Sequence, residues 1–420
     1  MILASPKIKE CLILLGLLTL VLLMLLWQAK LPLWKDHLQT DVVTFFNRSH
    51  DFWLNGSFSM LTVNEYQPGA LLFFLLPGLS SLAQSDFYVY EKIFFALNIF
   101  LLFGHFWLYK SQRPFLNVLS FVMIIAFAGP ILLFRFELLV SLVTLLSFYF
   151  WERRRPNLAL TLLGLAVSVK IYPLLFLPYF AILVFQEKAL DLKKKLRSVF
   201  SQLMFFAFGV LLPFMMTFVL GLSESQMFKA LVFHALKPVG IEGVPAMIVT
   251  CLQKIFTGVY PTYISGYGIN GLPWDKVYLS RNFYNYFWLL PVFFFYYLIW
   301  CRRKQLIFNY QIPLLVILLF LISSKGLNPQ YLFWFVFFFP LIKIDKDKES
   351  YFLDLVLILL SLFLTQVIYP LTYTQFLQDF YTAGVLVELF YLNSLRNFLL
   401  MVLFVHLFNQ TFLKRHSQLK

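Results

Sequence analysis

The chain has 420 residues, of which 60% are hydrophobic and 13% charged, with 52 phenylalanines and a formal net charge of +14. So few charges cannot cover so much apolar surface in water, which excludes a soluble globular protein and points to an integral membrane protein with many spans. The Lys and Arg excess reads as basic cytoplasmic loops, and no nucleic-acid partner is expected.

Lys7 and Lys9 precede an apolar run from Cys11 to Trp27 with no small-residue cleavage site after it, the pattern of an uncleaved first span. A long segment follows, about residues 31–86. Within it, "TDVVTFFNRSHDFWLNG" (Thr40–Gly56) spaces Val42, Phe45, Phe46, Phe52 and Trp53 on one approximately helical face. Thr40 or Asp41 is placed to cap that helix and Asn55-Gly56 to end it. Asp41 is then either a capping acid or a general base held at the membrane surface. Next, Tyr66 and Pro68 open an apolar stretch to Ala83 that has 16 residues and contains Pro77-Gly78.

Later apolar runs are separated by basic breaks: "KSQRP" (110–114), "ERRRP" (152–156), "EKALDLKKKLR" (187–197), "CRRKQ" (301–305), "KIDKDKE" (343–349) and "KRHSQLK" (414–420). If these are cytoplasmic, each successive pair encloses an even number of spans. Residues 68–83 must then stay outside as a re-entrant or interfacial helix, because every later basic loop flips outward if they cross. The count becomes twelve spans, both termini inside, with long external loops at 31–86 and 222–282.

Pro156–Val169 and Tyr331–Ile344 have 14 residues each. They reach about 21 Å against a hydrocarbon core of about 30 Å. Their external ends, with Lys170 and Lys325, therefore lie below the membrane surface, where irregular polar backbone is tolerated only against protein or a wet cavity. Arg135 and Glu137 head another short span, and charges at such depth are costly enough to mark a use. The charged tips are expected to converge on one outward-facing pocket. Three cations at three such tips suit a phosphate headgroup. "FHALKPVGIEG" (Phe233–Gly243) adds His234, Lys237 and Glu242 in the second long loop, His234 and Lys237 at a helical spacing that suits the same anion. The three cysteines, Cys11, Cys251 and Cys301, form no CxxC or His/Cys pattern, so no disulfide framework, metal site or cofactor is expected.

The run "RFELLVSLVTLLSFYFWERRRPNLALTLLGLAVSVKIYPLLFLP" (135–178) resembles the Arg-aromatic-acid, basic loop, Lys-x-Tyr-Pro pattern of polyprenyl-phosphate-sugar-dependent glycosyltransferases of the GT-C fold, most closely glycosyltransferase family 87. "NPQYLFW" (328–334) resembles that family's Ser-Pro-Gln-Tyr segment, and "FHALKPVGIEG" its His-x-x-Arg and Glu-Ser segment. Asp41, the helix ending at Gly56 and Tyr66-x-Pro68 resemble its first external loop. Glu137 stands where the family usually has Asp, Lys237 where it has Arg, Gly240 where it has Gln and Gly243 where it has Ser.

The resemblance implies an all-α, polytopic GT-C protein forming a single domain over residues 1–420. It implies transfer of one hexose, mannose foremost, from a polyprenyl-phosphate sugar to a glycan, glycolipid or other acceptor on the external face of a bacterial cytoplasmic membrane, with inversion. Asp41 is the expected base. Arg135, Lys170, Lys325, His234 and Lys237 are the expected ligands of the donor phosphate. Tyr66, Glu137, Tyr172, Glu242, Gln330 and Tyr331 are the expected substrate contacts. Two other classes fit twelve spans: a secondary transporter, which places its polar site near the midplane between repeated halves, and a lipid-carrier glycan ligase using the loop at 222–282.

Overall fold

The computed structural model describes residues 6–58, 65–79, 86–187, 191–258, 261, 264–266, 269–272, 279–304, 308–344, 348–381 and 388–414. The first half holds α1 (Pro6–Gln28), α2 (Pro32–Asn55), α3 (Pro68–Gly78), α4 (Phe87–Gln112), α5 (Phe115–Ala128), α6 (Glu137–Glu152), α7 (Pro156–Val169), α8 (Leu177–Gln186) and α9 (Leu192–Val219). The second half holds α10 (Glu224–Leu236), α11 (Val244–Thr257), α12 (Arg281–Tyr286), α13 (Leu289–Cys301), α14 (Gln311–Ser323), α15 (Phe333–Val336), α16 (Lys348–Gln366), α17 (Tyr373–Tyr381) and α18 (Glu388–Asn409). Local chemistry sets many of the starts. Pro32, Pro68 and Pro156 occupy first helical positions, where a missing N–H costs nothing. Asp86 and Asp191 cap α4 and α9, their carboxylates accepting from the Tyr88 and Lys194 amides at 2.7 Å.

Among the described residues, six helical stretches are long and apolar enough to cross a membrane: Lys7–Gln28, Phe87–Gln112, Leu192–Val219, Arg281–Cys301, Lys348–Leu371 and Leu389–Leu413. Shorter apolar helices pack among them. α14 is buried along nearly its whole length, from Ile312 to Leu321, and the turns from Pro329 to Leu341 are likewise buried. The long α9, by contrast, turns Phe200, Met204, Phe208, Leu211, Met215 and Phe218 outward. Helices apolar on every side belong inside a bundle or against lipid, and this arrangement uses both.

α7 and α9 cross at glycines. A Cβ on Gly164 would stand 2.2 Å from the Phe206 carbonyl oxygen, and one on Gly209 would stand 2.1 Å from that of Thr161. Small residues at such crossings let helix backbones touch. Gly209→Ala is expected to force the pair apart and lower the thermal unfolding temperature of the detergent-solubilised protein, at a cost of about 1–3 kcal/mol. Gly16→Ala, where nothing lies within 4 Å, is expected to leave it unchanged.

The basic breaks meet at one end. The Arg113 Nε donates to the Leu341 carbonyl at 2.9 Å, and the guanidinium lies over the Tyr310 ring. Tyr310 donates to Glu152 at 3.0 Å, Arg154 pairs with Glu187 at 3.8 Å, and Arg302 donates to the Phe412 carbonyl. α6 runs from this end, at Glu152, to the opposite end, at Glu137, and α7 runs from Pro156 to the same opposite end.

α3 has 11 residues, about 16 Å of helix, too short to cross the hydrocarbon core. It is buried on nearly every side and packs against α2, α4, α7 and α9. The rest of the expected segment, residues 80–83, lies outside the described residues.

One local expectation fails. The helix carrying Asp41 begins at Pro32, so Asp41 lies in mid-helix and caps nothing. The apolar face starts earlier than the sequence pattern suggests, with Trp34 and Leu38 buried ahead of Val42, Phe45, Ser49 and Phe52, and this packing outweighs the capping preference of Thr40 and Asp41. The other end is as expected: Gly56 takes a left-handed conformation, φ 69°, its amide donating to the Phe52 carbonyl. The all-α expectation holds for the chain as a whole, with one local addition. β1 (Val239–Gly240), β2 (Ile264–Gly266) and β3 (Ile269–Leu272) form an antiparallel sheet in the order β1-β3-β2. Strands of two to four residues are too short to show the alternation that reveals a strand in sequence. The sheet contributes Val239 and Leu272 to a small second core with Ile241, Val249, Ile368 and Phe376.

Candidate active site

At the end opposite the basic breaks, a cavity of about 520 Å³ opens among residues far apart in sequence. Its walls come from α2 (Asp41, Phe45), the segment before α3 (Glu65, Tyr66), the turn before α6 (Arg135, Phe136) and the tips after α7 (Lys170), α10 (Lys237) and α14 (Lys325). Asp41, Arg135, Lys170, Lys325, His234, Lys237, Tyr66, Glu137, Gln330 and Tyr331 all line it. The tip charges that the sequence places on separate helices therefore share one space.

Ion pairs organise them. Asp41 contacts Arg135 directly, and Lys170 contacts Glu137 directly. Glu137 is 1% exposed, and its second oxygen, Oε2, has no hydrogen-bond partner among the described residues. Lys170 Nζ also lies 4.8, 5.3 and 5.2 Å from the ring centres of Phe136, Tyr331 and Trp334, each an attractive cation–π contact. Both faces of Trp334 are covered, by Tyr331 at 4.2 Å and Tyr172 at 4.3 Å. A floor of stacked aromatics thus carries a paired cation.

Lys325 is held by the chain itself. Its ammonium donates to the Ala235 carbonyl at 3.0 Å, the Lys237 carbonyl at 2.7 Å and Asn285 Oδ1 at 2.6 Å. An ammonium has three N–H donors, so these bonds tie the chain after α10 to the tip of α14 and bring Lys237 to the wall. Burial, reinforced by Arg281 and Lys237, lowers the Lys325 amine to about 8. Burial, with Lys170 adding to it and Glu65 opposing, lowers Lys237 to about 8 as well. Burial and the three neighbouring lysines Lys237, Lys170 and Lys325 push His234 down to about 3, which favours its uncharged imidazole.

These amines set a pH dependence. Both lose their charge as pH rises through about 8, earlier than an ordinary lysine near 10.4. Binding of an anionic ligand in the cavity is expected to weaken between pH 8 and 9, as titration calorimetry with farnesyl phosphate at pH 7, 8 and 9 would register. Affinity that holds flat to pH 9.5 would count against Lys237 and Lys325 as its charge source.

Two expected substrate contacts do not reach the cavity lining. Tyr172 is 2% exposed and lies behind Trp334. Glu242 sits beyond β1 beside α18, where its carboxylate lies 3.9 Å from the buried Arg396 and its carbonyl accepts from Arg396 and from Asn397. Burial raises the Glu242 carboxyl to about 7, with Arg396 opposing. Its place is to anchor the loop after α10 onto α18.

Other residues escaped the sequence reading. Tyr369 accepts from Arg135 Nη2 at 3.3 Å and donates to the His37 carbonyl at 3.2 Å, and so touches both the helix and the cation of the Asp41–Arg135 pair. Its one signal is a repeated tripeptide: Ile-Tyr-Pro occurs at 171–173 and again at 368–370, each time where an apolar helix stops. Trp334 closes the quoted "NPQYLFW" run without a role of its own, and Asn285 and Trp288 gave no signal. Among the described residues, no group of three or more His, Cys, Asp or Glu side chains is placed to hold a metal ion.

Residues 64–254 match the model of glycosyltransferase family 87. No curated protein matches the chain. The matched segment contains Glu65, Tyr66, Arg135, Glu137, Lys170, His234 and Lys237 of the cavity, while Asp41, Lys325 and Tyr331 lie outside it. The GT-C fold is consistent with that family, as is a helical membrane bundle with a charged cavity at its end. Over residues 64–254 the chain is therefore similar to glycosyltransferase family 87, and that similarity supports a glycosyltransferase role for a helical membrane protein.

Proposed function

We propose that the protein moves a hexose, mannose foremost, from a polyprenyl-phosphate sugar to a lipid-linked or other glycan acceptor on the external face of a cell membrane, with inversion. Twelve spans with both termini cytoplasmic are part of this reading. Six long helices are joined by six shorter ones in the bundle, and α3 and α11 belong to the two long external segments.

The observation that carries it is the composition of the cavity. Cations and a half-exposed carboxylate from five chain segments meet at the mouth of an apolar bundle. A polyprenyl tail stays in lipid while its phosphate needs fixed positive charge at the interface. Arg135 and Lys237 are assigned to that phosphate, with Lys325 holding Lys237 in place. The acceptor oxygen attacks the anomeric carbon, its proton passes to Asp41, and the carbon–oxygen bond to phosphate breaks, releasing polyprenyl phosphate. Fixed cations stabilise the charge that develops on that leaving group, which removes the need for a strong acid. Glu137 Oε2, buried and without a hydrogen-bond partner among the described residues, is suited to accept from a sugar hydroxyl.

A transporter site would lie at mid-helix between halves. Here Arg135, Lys170, Lys237 and Lys325 all sit at helix ends, which favours the transferase. The test is transfer by the purified, lipid-reconstituted protein from isoprenyl-phosphoryl mannose, glucose or galactose, paired with mass spectrometry of membrane glycolipids from cells with and without the gene. One added hexose is expected. Addition of a whole polymer would select the ligase reading, and no transfer with no altered glycan would overturn the proposal.

A further inference from the structure

Arg135 has two uses in the proposed reaction, and they compete. Its guanidinium contacts the Asp41 carboxylate, so the same charge that is assigned to the donor phosphate neutralises the assigned base. The two partners are unequally held. The Arg135 side chain is 6% exposed and that of Asp41 is 37% exposed. Arg135 stands in a turn whose residues, Pro130 to Leu138, are all buried, and its Nη2 is tethered to the Tyr369 hydroxyl at 3.3 Å. Tyr369 in turn is fixed by its bond to the His37 carbonyl and by edge-to-face packing on Tyr373 at 4.8 Å. Asp41 rides on the cavity side of α2, where its side chain is partly exposed.

We propose that Arg135 exchanges Asp41 for the donor phosphate, so that donor binding itself releases the base, with Tyr369 as the positioning residue that holds the guanidinium through the exchange. This deepens the proposed function and rests on its assignment of Arg135 to the phosphate. The side that moves follows from burial. A guanidinium wedged in a buried turn and tethered at one nitrogen stays, and the half-exposed carboxylate swings to solvent, where water solvates it. A phosphate brings negative charge and several acceptor oxygens to the same fork, a better match for a guanidinium than one carboxylate oxygen. Before the donor arrives, the base is occupied; afterwards it is free to take the acceptor's proton. The order of binding, donor before acceptor, is built into one ion pair. Tyr369 comes from a part of the chain outside the family match, residues 64–254.

The exchange makes a prediction whose sign is opposite to that for an ordinary binding residue. Removing the charge of Asp41 takes away a competitor, so Asp41→Asn should bind farnesyl phosphate more tightly than the native protein, by about two- to fivefold, the range of a half-exposed ion pair. Arg135→Gln should bind it about tenfold or more weakly. Tyr369→Phe keeps the ring and its packing, loses both hydroxyl bonds, and should weaken binding severalfold in the native background but not in the Arg135→Gln background. Titration calorimetry on the full-length protein in lipid nanodiscs reads all of these without requiring turnover, and Asp41→Ala repeats the key measurement should Asn fold poorly. Unchanged or weaker binding by both Asp41 variants, while Arg135→Gln loses affinity, overturns the exchange and leaves the phosphate assignment standing. Unchanged binding by Arg135→Gln overturns both. An equal effect of Tyr369→Phe in the two backgrounds removes Tyr369 from the device.

Discussion

Asp41→Asn is expected to reduce sugar transfer by about 10²–10⁴-fold, the contribution of a positioned general base, while the protein folds and still takes up donor. The geometry narrows the choice of base. Asp36 and Asp51 share α2 with Asp41, yet only Asp41 of the three lines the cavity. Successive helical residues turn by about 100°, so Asp51 faces another direction and stands exposed. Glu137 also lines the cavity, but its carboxylate is engaged with the Lys170 ammonium, which makes it the weaker candidate for a base. Glu65 is the remaining carboxylate on the wall, and its charge supports that of Lys237. Steady-state rates of Asp41→Asn beside Glu65→Gln decide between them. Near-native turnover in the first with loss in the second would transfer the role to Glu65, without disturbing the proposed glycosyltransferase function.

Lys170→Met is expected to cost about 3–5 kcal/mol of stability, because it leaves a buried carboxylate without its counter-charge. Glu137 is 1% exposed and Lys170 18% exposed, so neither charge has enough water to replace the other. Methionine keeps the length and apolar stem of lysine, so the aromatic floor of Phe136, Tyr331 and Trp334 keeps its packing and only the charge is lost. The expected rescue is Lys170→Met with Glu137→Gln, which removes both charges and should recover the larger part of the loss. Thermal unfolding of the native protein, the two single variants and the double variant forms the cycle. Equal stability of Lys170→Met and the native protein would mean that Lys170 does not compensate Glu137, and would return it to the set of free phosphate ligands. The expected outcome gives this lysine a different task from Arg135. It keeps a carboxylate charged at the cavity floor.

The sequence pattern is reliable wherever structure follows from neighbours along the chain. Apolar runs became helices because nothing else satisfies a backbone in lipid, and the Pro and Asp starts of α2, α3, α4, α7 and α9 follow from local capping chemistry. The basic breaks meet at one end, and the tips bearing Arg135, Lys170 and Lys325 meet at the other, since a helix that spans a bundle carries its two flanking segments to opposite ends. What each charge does there was not legible. Asp41 with Arg135, Glu137 with Lys170, and Lys325 on the carbonyls of Ala235 and Lys237 are pairings set by which helix packs against which, at what height and rotation. The same holds for Glu242, drawn back to Arg396 on α18, and for Tyr369, which reaches Arg135 from the far part of the chain. Hydrophobic periodicity is a property of one segment and records only that a face is buried. The partner that buries it, and the polar atom left opposite each charge, exist only once the helices are assembled.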